Sequence, residues 1–591
     1  MGAKTLRPAC FLALIGLLLP VCARAEDPDP LGGSAPEAPP VDASGPNLAG
    51  GGTSGTEDLR VRYTHVAEKL PNFEDRSVLD YIEAVNRLDL TGGNAHWTVS
   101  LSGDAVALFA NRYILDGTLY HERQLYTDLV SPFPDAAFQM EKVTAVGRAR
   151  AGTVTLGDSY ESFGRGIAVN INKNTDIDVD TSIRGVSGLL HAGKIDLTAF
   201  TGITNPQQIA LENPNIGLHL GRNHAITGAR ADIFGLGPVN LGAHGVIYQF
   251  ARAEDPTMNA LTTYDQPIDT AVGGATVEAL GVGGVDYFVE GDYFDYIATD
   301  LAAKSGGEVY VSGAAYPGVV TLLVEGKVQK NTEILNTFAT PDNYEFAAGP
   351  TLEYERVITE DSTAAVNSND LEGARARADF RLGAGADTLT PYISEAVFHD
   401  GETGGLHFNA TPENITHTVA GVTWAHGDSH LILNGGFRLD RREPGADGTD
   451  YGADRLAHLD ATLTVPIAGP VSVEIAPSGQ AFHWGKNAQQ QTDYLDFSGT
   501  LAVKVGGHWV ALLYNDYTSN PLVTSVGNLQ FLGGDLGNDE YGAVEVQYKP
   551  TDSFTLKAFY GAYRAGIRCA GGQCRQLPGF NGAKLSATAS F

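Results

Sequence analysis

The side chains with most chemistry to offer here are fifteen histidines, seventy acidic residues and four cysteines, and their spacing assembles little of it. The tightest histidine pair, His426 and His430, flanks Asp428 in one short segment. Two imidazoles and a carboxylate begin a metal site, but a third or fourth ligand must come from elsewhere; the competing reading is a solvated turn. Asp447, Asp450 and Asp454 share one stretch, and Asp176, Asp178 and Asp180 another. Hard oxygens at close spacing suit Ca²⁺, but neither stretch has a complete calcium-loop pattern, and period-two aspartates also describe one wet face of a strand. No Gly-x-Ser-x-Gly, His-Glu-x-x-His or phosphate-loop motif occurs. No catalytic residue, metal ligand or cofactor is therefore assigned, and the chain is read as a non-enzyme.

Cys10 and Cys22 fall within an export signal. Lys4 and Arg7 form its basic start, Phe11 to Leu19 its apolar core, and Ala23-Arg24-Ala25 a small-x-small cleavage site. Cleavage after Ala25 defines residues 1–25 as signal peptide; the apolar run is about half the ~20 residues of a spanning helix. Cys569 and Cys574, five positions apart in an exported chain, are expected to close one small disulfide loop.

Residues 1–25 hold three basic and no acidic residues, so their removal takes the net charge from −31 to −34. An acidic excess of this size argues against nucleic acid as a partner and fits long, solvated acidic loops. Residues 26–57 are rich in Pro, Gly, Ala and Ser without periodicity, and read as a disordered periplasmic tether.

From residue 58 to residue 591 the pattern is strand and turn. In Leu495 to Val505 the odd positions are Leu, Phe, Gly, Leu, Val and Val, and the even ones Asp, Ser, Thr, Ala and Lys. Ala457 to Val465 and Val544 to Lys549 alternate in the same way. That is the period of a strand with one oily and one wet face. Short turns such as His426-Gly-Asp-Ser429, Ile467-Ala-Gly-Pro470 and Gly506-Gly507 alternate with long polar stretches such as 401–414, 442–453 and 520–537. Short turns on one side and long loops on the other describe a bacterial outer-membrane barrel. The chain ends in Lys584-Leu-Ser-Ala-Thr-Ala-Ser-Phe591, with Leu585, Ala587, Ala589 and Phe591 on one face, as in the terminal strand read by the outer-membrane insertion machinery.

Hydrocarbon leaves no sheet edge unpaired, so the sheet must close. Turn parity predicts an all-β, transmembrane antiparallel β-barrel of about 24 strands (roughly 22–26). Its first strand is placed near 59–69, its last near 578–591, and eleven short-turn hairpins lie between. Two segments, 160–184 and 331–370, break the rhythm; parity predicts that neither spans and that both fold at least partly inward. Tyr160, Glu161, Phe163 and Arg165 of the first, and Glu353, Tyr354 and Arg356 of the second, are the candidate lumen constriction. Asp496, Lys504, Glu474, Glu545, Lys549 and Lys557 predict a wet lumen of mixed sign.

Gly157-Asp-Ser-Tyr-Glu-Ser-Phe-Gly-Arg-Gly166, followed by Asp180-Thr-Ser-Ile-Arg-Gly185, resembles a family of uncharacterised outer-membrane barrel proteins of myxobacteria and Bacteroidetes, and Gly349-Pro-Thr-Leu-Glu353 is similar to a second element of that family. The resemblance covers some thirty residues. It implies a location in a Gram-negative outer membrane and supplies no activity and no functional residues. The expected partners are outer-membrane lipid, the insertion machinery and other envelope proteins. The function expected is a channel or export/import conduit for a solute or polymer; the alternative is a surface scaffold or adhesin with a plugged lumen.

Overall fold

The computed structural model describes residues 52–69, 76–115, 118–120, 136–171, 173–174, 179–206, 224–249, 269–297, 305–332, 370–384, 387–401, 412–444, 452–483, 493–519, 540–563, 566–570, 573–577 and 580–591. The signal peptide and most of the tether lie outside these residues. The wall strands are β1 (Gly52–Lys69), β2 (Arg76–Gly93), β3 (Trp97–Leu115), β4 (Ala136–Ala149), β5 (Gly152–Ser159), β6 (Val179–Ala192), β7 (Ile195–Pro206) and β8 (Ala225–Leu236). They continue as β9 (Val239–Gln249), β10 (Asp269–Val282), β11 (Val285–Ile297), β12 (Ser305–Ala315), β13 (Val320–Lys330), β14 (Asp370–Phe380), β15 (Asp387–Asp400) and β16 (Glu413–His426). The circuit ends with β17 (Ser429–Arg442), β18 (Ala453–Ala468), β19 (Val471–His483), β20 (Tyr494–Val505), β21 (Trp509–Thr518), β22 (Glu540–Thr551), β23 (Phe554–Tyr563) and β24 (Phe580–Ser590).

Each strand pairs antiparallel with the next, and β24 pairs with β1 from Thr56↔Ser590 to Thr64↔Gly582. The result is a closed 24-strand antiparallel barrel, the number that turn parity predicts. The short turns His426–Ser429, Ile467–Pro470 and Gly506-Gly507 each join neighbouring wall strands, and several short connections sit on a left-handed glycine such as Gly193 (φ 71°) or Gly469 (φ 53°). β1 begins at Gly52, so residues 52–57, read from sequence as the end of the tether, belong to the wall.

Alternation places the oily face outward: Leu459, Leu495, Phe497 and Leu513 are each about half exposed or more. Trp97, Tyr316 and Trp509 lie beside short turns, with Trp509 stacked on Tyr548 at 4.1 Å. Tyr293, Phe437 and Phe497 stand eight residues further along their strands, roughly 20 Å away at ~3.3 Å per residue and ~40° tilt. Aromatic residues bracketing an apolar band of about this height match the interfaces of a bilayer. Phe591 closes the seam: its N–H donates to Gly55 O (2.9 Å) and its carbonyl accepts from Gly55 N–H (2.7 Å). Its ring lies where a side chain on Gly55 would stand. Leu585 and Phe591 face outward, and Ala587 and Ala589 pair with Leu59 and Glu57 of β1.

The inner face carries paired charges. Arg87 is bidentate on Asp104 (2.8 and 2.5 Å), Arg438 on Asp440 (2.8 and 2.9 Å), and Lys504 meets Glu474 at 2.8 Å. Asp496 accepts from Gln480 (2.9 Å). Asp496, Lys504 and Glu474 thus give the described inner face groups of both signs.

Candidate functional site

β5 has eight residues while its neighbours β4 and β6 have fourteen each. At Ser159, opposite Ile183, the chain leaves the wall and turns inward. The seam where it departs is held by polar groups from both stretches of the motif singled out in the sequence. Asp158 accepts from Ser182 Oγ (2.8 Å), Asn205 Nδ2 (2.8 Å), Arg184 Nη2 (3.0 Å) and Val143 N–H (2.6 Å). Tyr160 O–H donates to Asp180 (2.6 Å), and Lys142 reaches Ser182 Oγ (2.9 Å) and the Asp180 carbonyl (3.1 Å).

Inside, Glu161–Ser162 pairs with Asn170–Ile171, and a turn through Gly164 (φ 58°) and Gly166 (φ 92°) joins them. Phe163, Ile167, Ala168, Val169 and Ile171 are all at most 1 % exposed. They pack against inward residues of the wall: Phe200 on β7, Ile226 on β8, Val246 and Tyr248 on β9, Val272 on β10, Phe294 and Tyr296 on β11 and Tyr310 on β12. Phe163 lies 5.5 Å from the Phe200 ring, and Tyr248 O–H donates to the Ala168 carbonyl (2.6 Å). Arg165 N–H donates to Glu290 (2.5 Å), while its guanidinium lies over Phe288 (5.2 Å) and Tyr310 (5.5 Å). Burial raises the Glu161 carboxyl above the ordinary carboxylate range, against hydrogen bonds from Ser187 and Ser159. Burial and the Asp180 carboxylate raise the Tyr160 phenol well above its usual value.

Of the residues singled out in the sequence, Glu161, Phe163 and Arg165 lie in this hairpin and Tyr160 lies at its base. The expected boundary needs correction: Val179–Ala192 is wall strand β6, so 179–184 spans rather than folds inward. The physical reason is that Asp180 and Ser182 begin the paired edge of β6, and Thr181 already pairs with Pro206. β13 and β14 are direct neighbours, Lys330 opposite Asp370; residues 333–369, with Glu353, Tyr354 and Arg356 among them, lie outside the described residues. So do Asp176, Asp178, Asp447 and Asp450, while Asp454 is an inward partner of Arg442. His426 Nδ1–H donates to Asp387 (2.7 Å), and its ring stacks on that of Trp424. Cys569 and Cys574 are register partners in the hairpin Gly566–Ala570 and Gln573–Leu577; their side chains lie outside the described residues.

Sequence reasoning missed the oily lumen wall and three polar residues within it: His244 on β9, and Glu290 and Asp292 on β11. His244 Nε2 and Asp292 Oδ1 lie 2.6 Å apart, and one ligand atom from each of the three residues falls within 4.8 Å of the others. A signal was present in β11. Phe288, Phe294 and Tyr296 share the parity of Glu290 and Asp292, so its wet face is also apolar, as a covered lumen wall must be.

No protein-family model and no curated protein matches the sequence. Solved structures that align with it include the siderophore receptor PirA of Pseudomonas aeruginosa (9 % identity, 91 % of this chain and 80 % of that one, TM-score 0.42). The translocation pore of the P pilus usher PapC aligns at 8 % identity over 91 % of this chain and 99 % of that one (TM-score 0.40). The outer membrane protein OpdK of Pseudomonas aeruginosa aligns at 14 % identity over 69 % and 98 % (TM-score 0.33).

Proposed function

We propose that this protein is an outer-membrane conduit for a solute or polymer, narrowed from one side by the hairpin 160–171. The observation that carries the reading is that hairpin, docked through five buried apolar residues on an apolar stretch of lumen wall. A closed sheet of 24 strands has a circumference of roughly 150 Å and a mean diameter of roughly 48 Å, for strands ~4.8 Å apart and tilted ~40°. One hairpin, ~10 Å thick, covers a side of such a lumen and does not fill it. Elsewhere the described inner wall carries charge pairs such as Arg87–Asp104, Arg438–Asp440 and Lys504–Glu474, beside a second buried apolar cluster of Leu456, Phe482 and Tyr494. The apolar outer band and its aromatic borders support an outer-membrane location, as does the resemblance of 157–166 and 180–185 to outer-membrane barrel proteins.

Planar-bilayer recording of the purified protein tests the conduit. Replacing Glu161 to Ile171 by a short Gly-Ser linker should raise single-channel conductance while leaving heat-modifiable gel mobility intact. Absence of conductance in both forms would favour the plugged scaffold and remove the conduit. Recovery of the protein in the soluble periplasm would remove the location.

A further inference from the structure

We propose that His244, Glu290 and Asp292 form a binding site for one divalent transition-metal ion between the hairpin and the lumen wall. β9 and β11 are not neighbours; β10 runs between them. His244, Gly274 and Asp292 form one cross-strand row, His244 opposite Gly274 and Gly274 opposite Asp292. Strands two apart in a sheet stand roughly 9.6 Å from each other, and a side chain in the middle would hold the outer two residues apart. Glycine removes that obstacle. A Cβ at Gly274 would sit 2.0 Å from Asp292 Oδ1 and 2.5 Å from His244 Nε2. Glu290, two residues before Asp292, brings a second carboxylate to the same face. Gly164 of the hairpin lies directly over it, since a Cβ there would stand 2.2 Å from Glu290 Oε1.

The three side chains are buried, with Glu290 at 0 %, Asp292 at 6 % and His244 at 8 % exposure. Glu290 Oε1 and Asp292 Oδ2 are buried and have no hydrogen-bond partner among the described residues, although a buried carboxylate oxygen normally has one. Nearby cations are committed elsewhere. Arg230 Nε donates to both oxygens of Asp232 (2.9 and 2.8 Å) and its Nη2 to Thr276 (3.1 Å), and Lys327 faces Glu308 (3.7 Å). Arg165 presents its backbone N–H to Glu290 and directs its guanidinium to the rings of Phe288 and Tyr310. Each of the two carboxylates therefore keeps one buried oxygen without a hydrogen bond among the described residues, and a dication would take up both. One imidazole and two carboxylates within 4.8 Å suit a borderline ion such as Zn²⁺, Co²⁺ or Mn²⁺ better than Ca²⁺, which takes six to eight oxygens. On binding, the ion takes the Nε2 lone pair of the imidazole tautomer protonated at Nδ1, so the ring stays neutral. Arg230 Nη1, 3.5 Å from Nδ1, then turns fully to Asp232 and Thr276. The ion would tie β9 to β11, and through Glu290 it would fix the amide of Arg165 at the hairpin tip.

The test is metal binding by the full-length protein in detergent, stripped with EDTA and titrated with Co²⁺ by calorimetry and visible absorption. This readout is independent of whether the lumen conducts. One equivalent should bind, develop a d–d absorption band and be displaced by Zn²⁺. His244→Gln and Asp292→Asn should each weaken binding at least about 100-fold. Gly274→Ala, which removes no ligand, should weaken it at least about tenfold. Asp440→Asn, in a separate lumen pair, should leave it unchanged. Heat-modifiable mobility reports folding of each variant; if one fails to fold, the other two carry the comparison. No bound Co²⁺ in the wild type, or equal binding in the folded His244→Gln and Asp292→Asn variants, would overturn the site.

Discussion

Replacing Phe163 by Ala should release the hairpin from the lumen wall. Phe163 is 1 % exposed and packs on Phe200 at 5.5 Å and on His244 at 5.8 Å. Truncating a buried Phe costs ~3–5 kcal/mol through lost transfer energy and the cavity left behind. The barrel wall stays paired through its backbone hydrogen bonds, so the loss falls on docking of the hairpin. At 1.4 kcal/mol per tenfold, the docked-to-undocked ratio drops by about 10²–10³·⁵. If docking in the wild type is worth less than ~4 kcal/mol, the larger-conductance state becomes a major one. If it is worth ~6 kcal/mol, that state appears as brief events at the level of a few per cent. The assay is the dwell-time distribution of single channels in planar bilayers. Ile247→Ala is the control, because Ile247 lies between inward Val246 and Tyr248 but is 52 % exposed on the outer face. A Phe163→Ala channel with the wild-type conductance histogram, folded by heat-modifiable mobility, would refute the constriction argument.

Three further outcomes follow from particular contacts. Glu161 is an acid whose value is raised in the docked hairpin; docking is therefore fully supported below the ordinary carboxylate value and weakens as pH rises through the raised one. Open-state occupancy should grow with pH, and Glu161→Gln should flatten that dependence; a wild-type profile without slope would contradict the burial of this group. Phe591→Ser removes the ring over Gly55 at the β1–β24 seam while keeping both backbone bonds, so assembly in cells should slow, seen as accumulation of the heat-unmodified form; normal assembly rates would mean that the terminal ring is dispensable. Cys569 and Cys574 are backbone register partners, so maleimide labelling of unreduced protein should fail and appear only after reduction; ready labelling beforehand would exclude the bridge, whose contribution to stability is bounded at ~2–3 kcal/mol by so short a loop.

The sequence by itself determined the wall. Its alternation is strictly local: each strand states which side chains face outward, and the lengths of successive connections state which end of the barrel each occupies. Strand number and closure follow, because parity must be consistent around the circuit and hydrocarbon tolerates no open edge. Even the departure of the chain after Ser159 was visible as a break in rhythm, though not its end, since Asp180 to Gly185 reads equally as loop or strand until Thr181 is paired with Pro206. The contents of the lumen were decided only in three dimensions. Phe163 meets Phe200, and His244 meets Asp292, across strands whose separation in sequence carries no periodic signal. Whether an inward position is wet or covered depends on what folds over it, which no strand records about itself. The row His244, Gly274 and Asp292 makes the point: each residue is unremarkable in its own strand, and only the register of β9, β10 and β11 turns the missing side chain of Gly274 into space for the other two to meet.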